Sequence, residues 1–516
     1  MSEARPLQGL ALALITISLS LGTFMMALDY SIANVSIPYI AGDLGVSDTD
    51  GTWVITCFAA GNAIALPMAG FLSDRIGSVK LFVIATFLFT FFSWTCGAAF
   101  NFPMLLISRF IQGFTAGPLI PLSQSLLLMF YPPAKRKYAL AIWAAVVVVG
   151  PVLGPILGGY LTYNYVWRWI FYINVPFGII AGVITWHMVK DRETKIISRK
   201  MDLFGLAFLA IGVTCLQVLV DNGQQYDWFR SDLIRTLAIA SAIGFILLFV
   251  WSITGKDPLI DLSLFKNRNF AVGTFVTAAS FAIIFGNMVV FPLFLEETMG
   301  YTAEVAGLAV APMGLFPLLA LPAVAKCMER MSLRLMVGTC FTLFFGVYLF
   351  YSFITTAISF DYAALSRFMV GVPIALYMAP LTAITLARVE EHQLSSASGI
   401  FHFFRVFFGG VGTSLFVTLW ERRTIFHHSN LAASLTPFDP PAKYALAELN
   451  HLGLTGQAGL ETLDALTNQQ ASVLAANDVF WTSAWLFVPL IFLCFLFLRR
   501  PNPEQALSLE HAALGH

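Results

Sequence analysis

Long apolar stretches follow one another along almost the whole of this 516-residue chain. A stretch of about twenty apolar residues is long enough to cross the hydrocarbon core of a bilayer as a helix. The composition, with 58% hydrophobic residues, 11% charged residues and a mean hydropathy of +0.78, excludes a soluble fold of this length. The sequence therefore predicts an all-α polytopic membrane protein. Fourteen stretches qualify as spans 1 to 14, at residues 10–38, 51–72, 80–100, 103–128, 138–163, 167–189, 203–221, 234–253, 270–296, 303–325, 335–356, 360–387, 397–420 and 479–498.

The distribution of charge sets the orientation of these spans. With fourteen spans, the N-terminus, every second connecting segment and the C-terminus lie on one side of the membrane. Most of the 29 Lys and Arg residues fall in these segments. This bias predicts that both termini are cytoplasmic. The first apolar run has no small-residue cleavage site, which indicates a retained helix and not a signal peptide. The formal net charge is zero, so nothing favours binding to nucleic acid.

Three groups of residues recur in the second half of the chain in the same order. The first group, Pro67, Gly70, Asp74 and Arg75, matches Pro322, Ala325, Glu329 and Arg330 with the same spacing. The second group, Arg109 and Gly113, matches Arg367 and Gly371. The third group, Gly150–Gly159, matches Gly409, Gly410 and Gly412. The repeat predicts two homologous six-helix bundles, residues 1–190 and 266–516, with spans 7 and 8 inserted between them in residues 191–265. Two such bundles facing each other are a transporter architecture, with a ligand site between them near the middle of the membrane.

Asp29 in span 1 and Arg109 in span 4 are the first charges that lie deep in the predicted membrane. A carboxylate in lipid is costly, so Asp29 should face a cavity or a partner, and Arg109 lies at a similar depth. We expect the two to lie close together, with Asp29 exchanging a proton as the cavity opens to each side in turn. The alternative is a static structural ion pair.

Span 13 also carries polar groups at depth. Arg405 should line the cavity, and His402 is a candidate for proton coupling, although a lone histidine on an apolar helix is more often a packing residue. Five amide side chains within the spans are candidate polar groups of the cavity or hydrogen-bonded ties between helices. They are Asn34, Asn62, Gln112, Gln124 and Asn287.

Glycine-rich stretches mark the close helix contacts. The stretch VGPVLGPILGGY in span 5 places Gly150, Gly154 and Gly158 on one face, with Pro155 and Gly159 beside them. We expect this glycine stripe to lie opposite Gly409–Gly412, where the two bundles meet. The simpler alternative is that it marks a close crossing of two helices. Between spans 2 and 3, Gly70, Asp74, Arg75 and Gly77 are candidates for a cytoplasmic gate, or merely for a charged loop that fixes topology.

Nothing in the sequence indicates an enzyme or a bound cofactor. No G-x-x-x-x-G-K-[ST] phosphate loop occurs, which excludes ATP binding through such a loop. The eight histidines show no spacing typical of a metal site. The six cysteines are scattered and form no disulfide framework. We therefore expect an ion gradient to supply the energy, with no metal and no cofactor.

Several motifs resemble those of the major facilitator superfamily. GFLSDRIGSVK resembles the signature between helices 2 and 3, with Ser78 and Val79 in place of the usual basic pair. LLISRFIQGFTAG resembles the signature of helix 4, and the glycine-rich stretch of span 5 resembles the antiporter signature of helix 5. Over essentially the whole chain, including WRWIFYINVP and DLSLFKNRNF, the sequence resembles EmrB-type fourteen-helix drug:proton antiporters.

The resemblance implies the major facilitator fold and export of hydrophobic toxic compounds, fatty acids included, in exchange for protons. It also implies a place in the inner membrane of a Gram-negative cell, with a periplasmic adaptor and an outer-membrane channel as partners. By the same resemblance, Arg109 relays protons and Asp29 is a coupling or substrate-binding acid.

The segment 421–478 between spans 13 and 14 is unusually long for a connection. Its residues Lys443–Leu452 and Leu460–Asn477 have helical patterns with a partly apolar face. We expect this outer loop to be either a surface for a partner protein or a solvated, partly folded loop.

Other transport functions remain open at this point. An importer of a specific metabolite would share the fold, but the few polar groups within the spans favour export. A sensor would need an extra soluble domain, and a channel would need a ring of like charges. Because Arg109 and Arg405 outnumber Asp29 at depth, we predict a preference for neutral and weakly acidic amphiphiles over dications.

Overall fold

The computed structural model describes residues 7–132, 135–194, 196, 202–255, 258–390, 393–435 and 440–497. All regular secondary structure in these ranges is helical, which confirms the predicted all-α polytopic fold. Spans 1 to 8 are Gly9–Leu44, Trp53–Ile76, Ser78–Gly97, Phe102–Phe130, Tyr138–Asn164, Trp169–Val189, Leu203–Asn222 and Asp232–Thr254. Spans 9 and 11 to 14 are Arg268–Thr298, Leu333–Tyr351, Phe360–Leu386, Ser396–Ala433 and Gln457–Leu496. Several Lys and Arg residues that set the predicted orientation lie outside the described residues, as do both chain ends.

Two spans are interrupted. Span 1 contains a 3₁₀ turn at Asn34–Ser36, just before Pro38. Span 10 consists of Glu304–Leu319 and Pro322–Met328, which meet at an angle of 45°. The described residues contain 13 other spans, so counting this bent pair as one crossing gives 14. Pro312, Pro317 and Pro322 explain the break, because proline has no N–H to donate and its ring crowds the preceding turn.

The predicted outer loop is mostly helix. The helices Pro440–His451 and Gln457–Phe497 confirm the two stretches predicted as helical, whereas the helical residues 421–434 correct the prediction of a loop there. The helices Leu394–Ser434 and Gln457–Phe497 have 41 residues each, so each is about 60 Å long, twice the thickness of the hydrocarbon core. They continue past the membrane because residues 421–434 and 460–478 contain neither proline nor glycine to end them. We call residues 421–435 and 440–478, with the short helix Pro440–His451, the outer extension. Most of the predicted break at Thr436–Pro441 lies outside the described residues.

Ion pairs fix the two long helices of the outer extension side by side. Arg423 Nε lies 2.6 Å from Asp478 Oδ2, and His427 Nε2 lies 2.6 Å from the same oxygen. One turn closer to the membrane, Trp420 Nε1 donates to the carbonyl oxygen of Ser472 at 3.2 Å.

The glycine stripe of span 5 packs within its own bundle, and the predicted position opposite Gly409–Gly412 is wrong. A Cβ atom on Gly150 would lie 2.6 Å from Ala27 Cβ, and one on Gly158 would lie 2.5 Å from the carbonyl oxygen of Ile32. Gly154 meets Ser31 even more closely, so the whole stripe faces span 1. Spacing alone shows that a helix comes near, but not which helix.

Span 13 repeats this arrangement in the second bundle. Its glycines Gly409 and Gly412 lie against Phe281 and Ala282 of span 9. In the same way Gly113 of span 4 abuts the Phe58 backbone in span 2, and Gly371 of span 12 abuts the Met313 backbone in span 10. The glycines therefore tighten contacts inside each bundle, in equivalent positions.

Candidate functional site

A cavity lies between the two bundles, with about 730 Å³ of space that no atom occupies when the adjoining open solvent is included. Spans 1, 4 and 5 form one wall, and spans 9, 10, 12 and 13 form the other. Four methionines contribute to the walls, together with Phe281, Phe285 and several aliphatic side chains. These methionines are Met26, Met288, Met313 and Met378. Thioether side chains are flexible and polarizable, so such a wall can adapt to ligands of different shapes.

Arg405 is the one charged side chain among the described residues that line the cavity. It is 1% exposed, and its guanidinium lies 3.7 Å from Met378 Sδ and 5.0 Å from the centre of the Phe281 ring. Its Nε atom has no hydrogen-bond partner, and no carboxylate of the described residues lies within ion-pair distance. A buried cation without a counter-charge favours a ligand that brings an anionic or electron-rich group.

Asp29 and Arg109 form a buried ion pair inside the first bundle. Arg109 Nη1 lies 2.5 Å from Asp29 Oδ2, and the side chains are 1% and 0% exposed respectively. Gln112 Nε2 and Asn174 Nδ2 donate to the other carboxylate oxygen at 3.2 and 3.0 Å. Four residues from spans 1, 4 and 6 thus form one network around a single carboxylate.

The packing of span 4 positions this network. Gly113 lets span 4 approach span 2, so the Arg109 guanidinium lies 4.3 Å from the centre of the Phe58 ring and its Nε donates to the carbonyl oxygen of Val54 at 3.1 Å. Gln112 follows Arg109 by three residues and therefore presents its amide on the same helix face. Neither Asp29 nor Arg109 lines the cavity.

The bundles touch directly beside the cavity, toward the end where span 2 finishes and span 13 begins. His402 Nε2 and Ser398 Oγ of span 13 lie 2.8 and 3.2 Å from Gln124 Oε1 of span 4. A Cβ atom on Gly70 of span 2 would lie 2.7 Å from Ser396 Cα. These contacts join the two bundles at that end of the spans.

Comparison with known proteins decides the family. The Major Facilitator Superfamily profile matches residues 19–413. The chain belongs to the major facilitator superfamily. It is 42% identical to the multidrug export protein EmrB of Escherichia coli (strain K12), over 95% of this chain and 96% of that protein. It is 43% identical to the fatty acid resistance protein FarB of Neisseria gonorrhoeae, over 94% and 96% of the two chains.

A solved structure shows the same fold at low identity. The human organic anion transporter MFSD10 (TETRAN) matches with a TM-score of 0.60 and 13% identity, covering 94% of this chain and 100% of its own. Within the superfamily the chain is an EmrB-type pump, and it is therefore a multi-pass membrane transporter and not an enzyme.

The cavity of this major facilitator protein is less polar than the sequence led us to expect. None of the five predicted amide residues lines it. Asn34 is exposed in the 3₁₀ turn, and Asn62 is buried away from the cavity. Gln112 joins the Asp29 network, while Asn287 donates to Ser483 Oγ of span 14 at 2.8 Å. Three of the amides, Gln112, Gln124 and Asn287, thus have partners on neighbouring helices, whereas neither amide atom of the buried Asn62 has a hydrogen-bond partner among the described residues.

His402 and the loop between spans 2 and 3 also have defined places. His402 contacts Gln124 and stacks near Trp143, with ring centres 5.5 Å apart, and does not line the cavity. Asp74 and Arg75 lie near the C-terminal end of span 2, which Gly77 ends with a φ of 95°. Glu193 accepts hydrogen bonds from the backbone N–H groups of Val79 and Lys80 at 2.9 Å, so an acidic side chain caps the start of span 3.

Sequence reasoning missed three polar residues near these sites. Tyr30 and Tyr377 line the cavity, and the Tyr377 hydroxyl lies 2.8 Å from Ser280 Oγ. Asn174, in the stretch WRWIFYINVP, donates to Asp29. A polar residue inside an apolar span was the available signal in each case.

Proposed function

We propose that this chain is a proton-coupled antiporter that exports hydrophobic, neutral or weakly acidic toxic compounds by alternating access between its two bundles. The observation that carries the proposal is the apolar cavity with one uncompensated cation, Arg405, between the bundles. The names of the relatives, a multidrug export protein and a fatty acid resistance protein, support the same substrate class.

The wall chemistry indicates how such a substrate binds. The alkyl or aromatic part of the compound lies against the methionines and phenylalanines, where its fit depends on volume rather than on fixed hydrogen bonds. An acidic head group pairs with Arg405, which has no described acid to compete for it. A dication meets a cation and no carboxylate on this wall, so we expect it to bind poorly.

The proposed energy source is the proton gradient, with no bound cofactor. Asp29 is the proposed site of proton exchange, and Arg109 is its proposed partner in the relay. The electrical part of the gradient supplies about 2.3 kcal/mol per charge per 100 mV. We propose that protonation of Asp29 weakens its pairing with Arg109 and shifts the first bundle, because the network joins three of its spans.

We further propose that the pump lies in the inner membrane with both termini in the cytoplasm. There it passes its substrate to a periplasmic adaptor and an outer-membrane channel. The outer extension supports this proposal, because it is ordered by ion pairs and still exposes large apolar side chains. Tyr444 and Leu452 are 78% and 73% exposed. Exposed apolar side chains on a rigid helical element are typical of a protein-binding surface.

Transport by purified protein in liposomes tests the central proposal. With an imposed pH gradient, the wild type should export a long-chain fatty acid and a neutral lipophile, but a lipophilic dication poorly. Arg405→Gln should lower fatty acid export by at least about tenfold and neutral export less, since it removes one charge-assisted hydrogen bond. Arg405→Lys is the matched control and should retain part of the acid export. Efficient export of the dication without export of the acid would overturn the proposal.

Resistance of whole cells tests the transfer to partners. Replacing Tyr444 and Leu452 with serine should leave transport in liposomes intact and reduce resistance in cells. Glu448→Ser, an exposed polar position on the same helix, is the control and should change neither. Full resistance in the double variant would contradict docking at this surface.

A further inference from the structure

The inserted helix pair contributes a carboxylate at the boundary between the two bundles. Asp221 lies at the outer end of span 7. Thr56 Oγ1 of span 2 donates to its Oδ2 at 2.7 Å, and Ser414 Oγ of span 13 donates to its Oδ1 at 3.0 Å. Gln217 Nε2, one turn earlier in span 7, lies 2.9 Å from both oxygens. One carboxylate thus joins the first bundle to the second.

The partners of Asp221 suit an ionised carboxylate that has no cation beside it. No Lys, Arg or His of the described residues lies within ion-pair distance, and each of its three partners can donate a hydrogen bond. Asp221 is partly buried, and hydrogen-bond donors of this kind stabilise the ionised form of a partly buried carboxyl group. Protonation removes the negative charge, and hydrogen bonds between neutral groups are about half as strong as those to a carboxylate, so each of these contacts weakens.

Asp221 lies near both the central cavity and the contact between the two bundles. Spans 2 and 13 touch directly near Gly70 on the cytoplasmic side, whereas toward the outer side Asp221 bridges them. Tyr30, which lines the cavity, is near enough for its phenol group to interact electrostatically with Asp221. The titratable side chains in the same halves of the packed helices include Cys57 of span 2, Cys215 of span 7, Arg405, Glu421 and Arg422 on the helix of span 13, and the mutually paired, exposed Asp232 and Arg235 of span 8. Among these cations, Arg422 is placed by Trp228, which follows span 7: the Arg422 guanidinium lies 5.9 Å from the centre of its ring.

We propose that Asp221 is a second proton-binding site of the transport cycle, located on the inserted helix pair, and that its ionised form holds the outer ends of spans 2 and 13 together. A proton from the outer aqueous phase binds a carboxylate oxygen, weakens the hydrogen bonds from Thr56 and Ser414, and frees the outer seam to open. This proposal rests on the proposed proton-driven export and gives the inserted helices a part in it.

Distance measurements between spin labels test the proposal without substrate or gradient. Labels at Asp50→Cys, before span 2, and Ile425→Cys, on the outer extension, report the outer separation of the bundles in a background with the native cysteines replaced. In lipid nanodiscs the wild type should show a larger share of long distances at about pH 5 than at about pH 8. Asp221→Asn should favour the long distances by about tenfold at both pH values, the effect of losing one charged hydrogen bond.

Two control variants separate the possible causes. Ser414→Ala removes one donor but keeps the carboxylate, so it should favour the long distances partly and keep the pH response. Asp29→Asn should keep the part of the pH response that Asp221 contributes, because it leaves Asp221 unchanged. A pH response in Asp221→Asn equal to that of the wild type would overturn the proposal. Loss of export with the distance response intact would instead count against the proposed function alone.

Discussion

Replacing Asp29 with asparagine tests whether the buried ion pair of the first bundle couples transport to protons. The side chain keeps its shape and one oxygen acceptor, but it loses the charge opposite Arg109. Asp29 accepts hydrogen bonds from Arg109, Gln112 and Asn174, so the substitution affects all three contacts. We expect Asp29→Asn to abolish gradient-driven export and to destabilise the protein.

The size of the stability effect follows from what remains around Arg109. Removing one partner of a buried ion pair costs about 3–5 kcal/mol, because the other charge stays buried without compensation. Arg109 keeps its hydrogen bond to the carbonyl oxygen of Val54 and its contact with the Phe58 ring, which places the expected loss near the lower end, about 3 kcal/mol. Adding Arg109→Gln removes the uncompensated charge, so the double variant should regain most of this stability.

Two measurements on the same preparations separate coupling from folding. Unfolding in detergent should rank the wild type and the double variant above Asp29→Asn. Export in liposomes under a pH gradient should be absent from both variants, including the stable one. Proton-coupled export by Asp29→Asn, or a double variant no more stable than the single one, would refute this reasoning.

Three further predictions concern the glycine stripe, the cytoplasmic contacts and the outer extension. Gly154→Leu should yield little folded protein, because span 1 leaves no room for a side chain there. Gly159→Ala is the control and should purify normally, since its Cβ atom would lie 3.9 Å from its nearest neighbour. Equal yields of the two variants would contradict this packing. Gln124→Leu removes the partner of His402 and should open the cytoplasmic side, seen as several-fold faster alkylation of a cysteine placed at Ser396; an unchanged rate would argue against a gate. Asp478→Ala should weaken the outer extension by about 1 kcal/mol and speed its proteolysis, and wild-type cleavage rates would show that its ion pairs contribute nothing.

The sequence predicted the features that depend on local composition and depth. The length of the apolar stretches predicted all fourteen spans. A single apolar segment in lipid must be a helix, because only a helix satisfies the hydrogen bonds of its backbone within the segment itself. Asp29 and Arg109 were expected to be neighbours because two opposite charges at one depth in lipid stabilise each other, and the structure places them in contact.

Features that depend on the choice of neighbour could not be predicted. The glycines of span 5 showed that some helix approaches closely, but both span 1 and span 13 satisfied that pattern. Residues 421–434 are polar enough to suggest a loop, yet pairing with the opposite helix keeps them helical beyond the membrane. Asp221 looked like the polar end of a span, because its partners Thr56 and Ser414 come from segments far away in the sequence.

The wall of the central cavity has a consequence for the design of compounds that evade efflux. Its methionines and phenylalanines set almost no directional requirement, so altering the outline of a drug gives little relief from export. A neutral polar group that finds no partner on that wall costs about 1–3 kcal/mol on entry, which corresponds to roughly a tenfold to hundredfold loss in affinity. Polarity placed away from an acidic head group is therefore a more effective change to such a compound than added bulk.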